Sequence, residues 1–222
     1  MILAIETSTP VCSVALGKSS RTIVEKRIEG RGVHSERTFT FIRELLDRHE
    51  IGISDLEAVL FSHGPGSYTG LRIGAAAIKG LLFQRDIPLW TLPTLLSFAV
   101  PHLKYYPARV HGVIDARRQH LYHQKTEYPA EGKLVTSEPE VTELTRLEGE
   151  IQQGDIVVGT GWERLEIENR DQMNFYGTEA ISAKNLVQGW YHPLVKPHFR
   201  QRNVQQFEPE YLTLSQVNNS SV

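Results

Sequence analysis

The sequence predicts an α/β fold on three observations: short continuous apolar runs, stretches with helical apolar periodicity between them, and glycine-marked turns where one gives way to the other. Residues 2–5 (Ile2-Leu3-Ala4-Ile5) form the first apolar run, the pattern of a strand buried on both faces. Glu6-Thr7-Ser8-Thr9-Pro10 breaks it with turn formers. Residues 11–16 resume as a strand, Gly17-Lys18-Ser19-Ser20 turns again, and residues 22–28 alternate and carry charge as an outer strand does. The chain therefore opens with a three-stranded meander.

Gly30 and Gly32 end that unit, and from Ser35 the period becomes helical. Phe39, Ile42, Leu45 and Leu46 share one face, with Glu36, Arg37, Arg43, Glu44 and Asp47 elsewhere. Gly52 closes the helix, and Ser54 and Glu57 have capping-box spacing for a turn or so of another. Residues 58–61 read as a second buried strand, and a second helix carries Leu71, Ala75, Ile78 and Leu82 on one stripe. Residues 87–91 read as a strand and residues 94–102 as a short helix after Pro93.

Pro101 and Pro107 bracket a boundary between a first subdomain, residues 1–106, and a smaller second one, residues 107–222, whose tail packs back on the first. In the second, residues 109–115 and 120–126 read as strands joined by a polar turn. Residues 156–158 form a short strand before Gly159-Thr160-Gly161, and Ser182 caps a helix holding Leu186, Val187 and Trp190. Residues 128–153 have weak periodicity and receive no assignment, and the polar residues 215–222 are expected to fray. No internal repeat or low-complexity segment is visible.

Composition narrows the function classes. Of 222 residues, 40% are apolar and 23% charged, which suits a globular protein with a sizeable core. The net charge of −2 argues against a chain that grips nucleic acid through its own surface, so any link to RNA is expected to be indirect. The single cysteine, Cys12, excludes an intrachain disulfide and a thiolate metal cage. The first residues lack the basic start and cleavage site of a signal peptide, and no apolar run is long enough to span a bilayer. A cytoplasmic location is the expectation.

Five segments carry candidate chemistry. The opening hairpin turn, Glu6-Thr7-Ser8-Thr9, offers backbone N–H groups and hydroxyls to a phosphate, with Glu6 able to hold a metal-bound water; equally, Thr and Ser merely form the turn. Gly64-Pro65-Gly66-Ser67-Tyr68-Thr69-Gly70-Leu71-Arg72 lies between a strand and a helix, where Ser67 or Thr69 can cap the helix and its N-terminus can meet an anion. It is neither a P-loop nor a dinucleotide fingerprint. Gly70, Gly74 and Ala77 then put small residues on one face of that helix, at a cost of about 1 kcal/mol per glycine relative to alanine. Close packing explains this, whether inside the chain or against a partner.

His34 has Thr38 rather than a second histidine one turn on, and His120 and His123 fall on opposite faces of a strand, so no metal site is expected. Asp115-Ala116-Arg117-Arg118 reads as a turn-forming Asp followed by solvated arginines, with a catalytic Asp115 as the alternative. Gly159-Thr160-Gly161 either approaches a nucleotide or joins a strand to a helix. No nucleophile–base arrangement stands out.

Taken together, Ile2-Leu3-Ala4-Ile5-Glu6-Thr7-Ser8, Val11-Cys12-Ser13-Val14-Ala15-Leu16, His34-Ser35-Glu36, the glycine-rich segment through Gly74, and Ile114-Asp115-Ala116-Arg117, in this order, resemble the TsaB (YeaZ) family, bacterial paralogues of the TsaD/Kae/Qri proteins. The resemblance is dense to about residue 118, with Gly159-Thr160-Gly161 and Pro209-Glu210-Tyr211-Leu212 as later echoes. It implies an actin-like, Hsp70-like (ASKHA) fold of two related subdomains, the second reduced. It implies a non-catalytic subunit for making threonylcarbamoyladenosine beside the tRNA anticodon, with TsaD and TsaE as partners, self-association through the same helical surface, and tRNA met only through the complex. Two metal-binding histidines of TsaD-like proteins correspond here to His34 and Thr38, so the pair is broken. The implied partner surface comprises His34, Arg37, Thr38, Phe41, Leu45, Tyr68, Gly70, Leu71, Gly74, Ala77 and Ile78. Glu6, Thr7, Ser8, Gly64, Gly66 and Ser67 would be remnants of a nucleotide site, with ATP or ADP bound weakly or not at all and no other cofactor. The rival activities are a stand-alone ATP-dependent phosphotransferase and a protease acting on TsaD; neither a catalytic set nor a metal ligand set is assigned to this chain.

Overall fold

The computed structural model describes residues 1–104, 107–128, 132–168 and 170–212. Among these residues twelve strands form two six-stranded sheets. The first contains β1 (Ile2–Glu6), β2 (Val11–Gly17), β3 (Ile23–Glu29), β4 (Ala58–Ser62), β5 (Leu89–Leu92) and β12 (Arg200–Arg202), in the order β12-β5-β4-β1-β2-β3. β1, β2 and β3 form the expected antiparallel meander, and β4 and β5 join parallel to β1 and to each other. The second contains β6 (Ala108–Asp115), β7 (His120–Tyr128), β8 (Val135–Thr136), β9 (Glu140–Glu143), β10 (Ile156–Gly159) and β11 (Asn174–Tyr176). Its order is β11-β10-β6-β7-β8, with β9 also on β7. Both sheets thus pair a leading antiparallel hairpin with two parallel strands on its other side, so the two halves share one plan.

Alternation along β1 sends Leu3 and Ile5 to one face and Ile2 and Ala4 to the other. The first face is covered by α1 (Val33–Arg48) and α2 (Tyr68–Leu81), through Phe41, Ile42 and Leu45 and through Leu71, Ala75 and Ile78. The second is covered by α5 (Ala183–Tyr191), whose Ala183, Leu186 and Val187 are fully buried. α3 (Thr94–Ala99) is buried at all six residues: Leu96 joins the cluster under α5, while Leu95, Phe98 and Ala99 pack with Val110, Ile114 and Val158 of the second sheet. Gly112 makes room for it, since a methyl there would lie 2.8 Å from the Leu95 carbonyl oxygen. α4 (Leu144–Glu150) covers the outer face of the second sheet with Leu147.

The structure corrects several local expectations. Phe39 lies outside the buried face of α1 and is 51% exposed; Phe41 takes its place in the core. The short helix after Gly52 is a 3₁₀ turn whose cap is Asp55, accepting the Gly52 N–H at 2.8 Å, rather than the Ser54/Glu57 pair. The fifth strand begins at Leu89, two residues later than expected. The unassigned stretch holds β8, β9 and α4, and Ser182 caps α5 by accepting the Lys184 N–H at 3.0 Å. The boundary between the halves is crossed by packing: β12 completes the first sheet, and α5 roofs it, its first N–H donating to Ser13 Oγ at 2.8 Å. Residues 215–222 lie outside the described residues.

The second sheet buries a connected set of polar groups. Asp115 opposite Leu121 sets the β6–β7 register and places His111 and His123 on one face. Their rings stack, with His111 Nδ1 3.0 Å from His123 Nε2, and His111 Nε2 is 3.1 Å from Asp155 Oδ2. A carboxylate accepts only, so His111 carries its proton on Nε2. Asp155 also takes Arg109 Nε at 2.7 Å and the Gln152 N–H at 2.8 Å. Burial raises its pKa, and these donors more than reverse the shift, leaving it below the usual value. Burial, then the neighbouring His111, Arg146 and Lys125, push His123 down to about 3, and burial, then Lys104, push His102 to about 4.

Both histidines stay neutral in the fold over a range where they would take up protons in the unfolded chain. Stability is therefore full above pH 6.5 and falls as the pH drops from there toward 3–4, by at most about 1.4 kcal/mol per pH unit for each group. Urea unfolding between pH 7.5 and 5 should show the decline, and His123→Leu should flatten it; a midpoint that does not move over this range refutes the assignment.

Candidate functional site

The glycines of α2 are explained inside the chain. A methyl on Gly70 would overlap the Thr7 carbonyl oxygen, and one on Gly74 would overlap Thr7 Oγ1 and lie 2.6 Å from the Phe61 ring. Gly66 likewise faces the Ser8 carbonyl, to which the Ser67 N–H donates at 2.6 Å. Ser67 Oγ caps the helix, accepting the Gly70 N–H at 3.2 Å. The glycine-rich turn and the start of α2 therefore lie directly on the opening hairpin turn. This fixes an alternative that the sequence leaves open: the small face packs internally.

The hairpin turn spends its own donors. Glu6 folds back so that one carboxyl oxygen accepts the Ser8 N–H at 2.6 Å and the Ser8 hydroxyl at 2.5 Å. Glu6, Thr7 and Ser8 are fully buried. Burial raises the Glu6 pKa, against the lowering pull of the Ser62 and Ser8 hydroxyls. His34 clamps the turn from the other side, its Nε2–H donating to the carbonyls of Thr9 at 2.9 Å and Val11 at 3.2 Å. Thr38, at the position of the missing second histidine, donates back to the His34 carbonyl at 2.7 Å. Both are structural groups of the core.

Most residues of the expected partner surface are buried in this chain. His34, Thr38, Phe41, Leu45, Gly70, Leu71, Gly74, Ala77 and Ile78 all face inward, because the apolar and small stripes of both helices are used to cover the first sheet. Arg37 and Tyr68 are exposed. The outward stripe runs through Phe39 on α1 and Ile73, Ala76 and Gly80 on α2 to Phe83 just beyond it; Phe83 is 64% exposed. A methyl on Gly80 would sit 3.6 Å from the Phe39 ring, so the two helices meet along this line. From the sequence, Phe39 falls on the buried stripe of α1 and Phe83 has no role, so this outward line is missed.

The second half brings two sequence candidates together. The Asp115 N–H donates to Thr160 Oγ1 at 3.2 Å, and Gly159 and Gly161 take φ values of +134° and +86°. Asp115 accepts the Arg117 N–H at 2.8 Å and pairs with Arg164. Its carboxylate thus holds the β6–β7 turn, and Arg117 and Arg118 stand exposed at its tip. The histidine ladder of His111, His123 and Asp155 escaped sequence reasoning, since it depends on strand register.

If the inward packing is right, Gly74→Ala loses more to overlap than the helix gains. The expected outcome is destabilisation by about 1–3 kcal/mol despite a propensity gain of about 1 kcal/mol. Gly80→Ala, whose methyl would make an ordinary contact with the Phe39 ring at 3.6 Å, should be stabilising by up to about 1 kcal/mol. Thermal or urea melts of the pair decide this, and a stabilised Gly74→Ala refutes the packing account.

Comparison with known proteins places this arrangement. A family model described as TsaD, tRNA N6-adenosine threonylcarbamoyltransferase, matches residues 30–213. The chain is 34% identical over 123 residues to the tRNA threonylcarbamoyladenosine biosynthesis protein TsaB of Haemophilus influenzae, in an alignment covering 54% of this chain and 51% of that protein. The chain thus spans about half the length of that relative. With the TsaB protein of Escherichia coli K12 it is 31% identical over 171 residues, 73% of this chain and 72% of the relative. It superposes on YeaZ from Pseudomonas aeruginosa with a TM-score of 0.78 at 26% identity, over 95% of this chain and 99% of that one. Two sheets of one plan, clasped by exchanged helices, are the actin-like fold of these proteins, and the chain belongs to the TsaB (YeaZ) family.

Proposed function

We propose that this protein acts in tRNA threonylcarbamoyladenosine biosynthesis as a non-catalytic subunit. It binds and activates TsaD, together with TsaE, for threonylcarbamoylation of the adenosine next to the anticodon. The names of its relatives support the pathway. The single observation that carries the docking role is the outward stripe of Phe39, Ile73, Ala76, Gly80 and Phe83, an apolar line left uncovered by the chain's own core. Burying one such phenylalanine contributes about 1.5–3 kcal/mol, enough for a few anchors to hold a complex. The same face serves self-association, so a second copy and TsaD compete for it. The Ser8 N–H and hydroxyl, spent on Glu6, support the non-catalytic reading, and the net charge of −2 supports contact with tRNA through the complex.

Calorimetric titration with purified TsaD tests the docking face. Ala76→Arg and Phe83→Ala should each weaken binding at least tenfold with unchanged melting temperature, whereas Gly74→Leu should act by unfolding the chain. Unaltered affinity in both surface variants overturns the interface. Reconstitution with TsaD, TsaE and a carbamoyl-adenylate supply should yield modified tRNA only when this chain is present. Phosphotransfer by the chain alone, lost on Glu6→Ala, sinks the subunit reading.

A further inference from the structure

The outer face of the second sheet carries a hollow of about 460 Å³ beside α4, a volume within the usual range for small-molecule sites. Strand pairing brings its floor together: Val113 lies opposite His123 and His111 opposite Lys125 across β6 and β7, and Glu140 lies opposite His123 from β9. Arg109 from β6 and Arg146 and Glu150 from α4 complete the walls.

The proton positions at the floor follow from one carboxylate. Asp155 accepts the Nε2–H of His111, which leaves His111 Nδ1 as a lone pair. That lone pair lies 3.0 Å from His123 Nε2, so His123 is the donor between them. His123 Nδ1 is then a lone pair as well. It is buried without a hydrogen-bond partner, on a side chain that lines the hollow. An unmet buried acceptor calls for a donor from a ligand or from water. Burial, then His111, Arg146 and Lys125, keep His123 uncharged, so at neutral pH it accepts a hydrogen bond without taking the proton. The same two cations, Arg146 and Lys125, would repel an ammonium donor. The donor that fits is a neutral hydroxyl.

Arg109 supplies the complementary half. Its Nε–H donates to Asp155 at 2.7 Å and its Nη2 to the Gln152 side chain at 2.8 Å, so one edge of the guanidinium is fixed. The other edge, between Nη1 and Nη2, has no partner among the described residues, and the side chain is 30% exposed. A free guanidinium edge held in place matches a carboxylate through two parallel N–H bonds. The lining holds three cations, Arg109, Lys125 and Arg146, and two carboxylates, Glu140 and Glu150, so at most one negative charge on a ligand is matched.

We propose that this hollow binds a small hydroxycarboxylate, its hydroxyl donating to His123 Nδ1 and its carboxylate lying on the free edge of Arg109. Every residue of the site belongs to the second half and the site needs no TsaD, so its test is independent of the docking face.

Glycolate is the probe, titrated into the full chain at pH 7.5 while the imidazole nitrogens are followed by NMR. Acetate serves as the counterpart without a hydroxyl, and inorganic phosphate as the counterpart with more charge. Glycolate should move the His123 Nδ1 signal and bind roughly fivefold or more tighter than acetate, the worth of one hydrogen bond. Arg109→Lys keeps a charge beside Asp155 but loses the fork, and should weaken glycolate by about tenfold. A His123 signal that glycolate leaves unmoved means that water alone serves the nitrogen, and overturns the proposal. Equal affinity for glycolate and acetate, tighter binding of phosphate than of glycolate, or unaltered glycolate binding in Arg109→Lys overturns it too. The comparison of glycolate with acetate on the parent chain decides the matter even if Arg109→Lys fails to fold.

Discussion

Everything in the first half depends on one close approach, the start of α2 lying on the turn between β1 and β2. Helix and turn can meet only where side chains are absent, and Gly66, Gly70 and Gly74 supply that absence. The approach puts the Ser67 N–H on the Ser8 carbonyl and lets α2 cover Phe61. From there the geometry propagates outward. With its small face spent on the turn, α2 shows the opposite face to solvent, and that face meets Phe39 of α1. A constraint in the core thus determines which surface of α2 remains exposed.

The same turn spends its polar groups on itself. The Ser8 N–H and hydroxyl are taken by Glu6, a carboxyl group held in full burial. His34 and Thr38 serve as a clamp and a helix back-bond, so residues in suggestive positions act as structural hydrogen-bonding groups. The second half repeats the plan, with Asp115 holding its own hairpin turn beside Thr160.

Much of this was legible in the sequence. Continuous apolar runs identified β1, β2, β4 and β10, and helical period identified α1, α2 and α5, because those signals arise from local burial. The cap at Ser182 and the turn role of Asp115 were legible for the same reason. Two kinds of information were not. Which way a small-residue stripe faces depends on what the rest of the chain brings to it, so Gly70 and Gly74 read equally well as an external contact. Register was also hidden: His111 and His123 become partners only once Asp115 is set opposite Leu121. The strands β8, β9, β11 and β12 are two to four residues long, too short to show any period.

The exchange of helices between halves has a consequence for how the molecule comes apart. α3 belongs by chain order to the first half yet lines the second sheet, and α5 belongs to the second yet roofs the first. Neither sheet can keep its apolar face dry once the other half has melted. The two lobes are therefore a single cooperative unit that denatures in one transition, and the chain cannot be severed near residue 106 to yield two self-sufficient pieces.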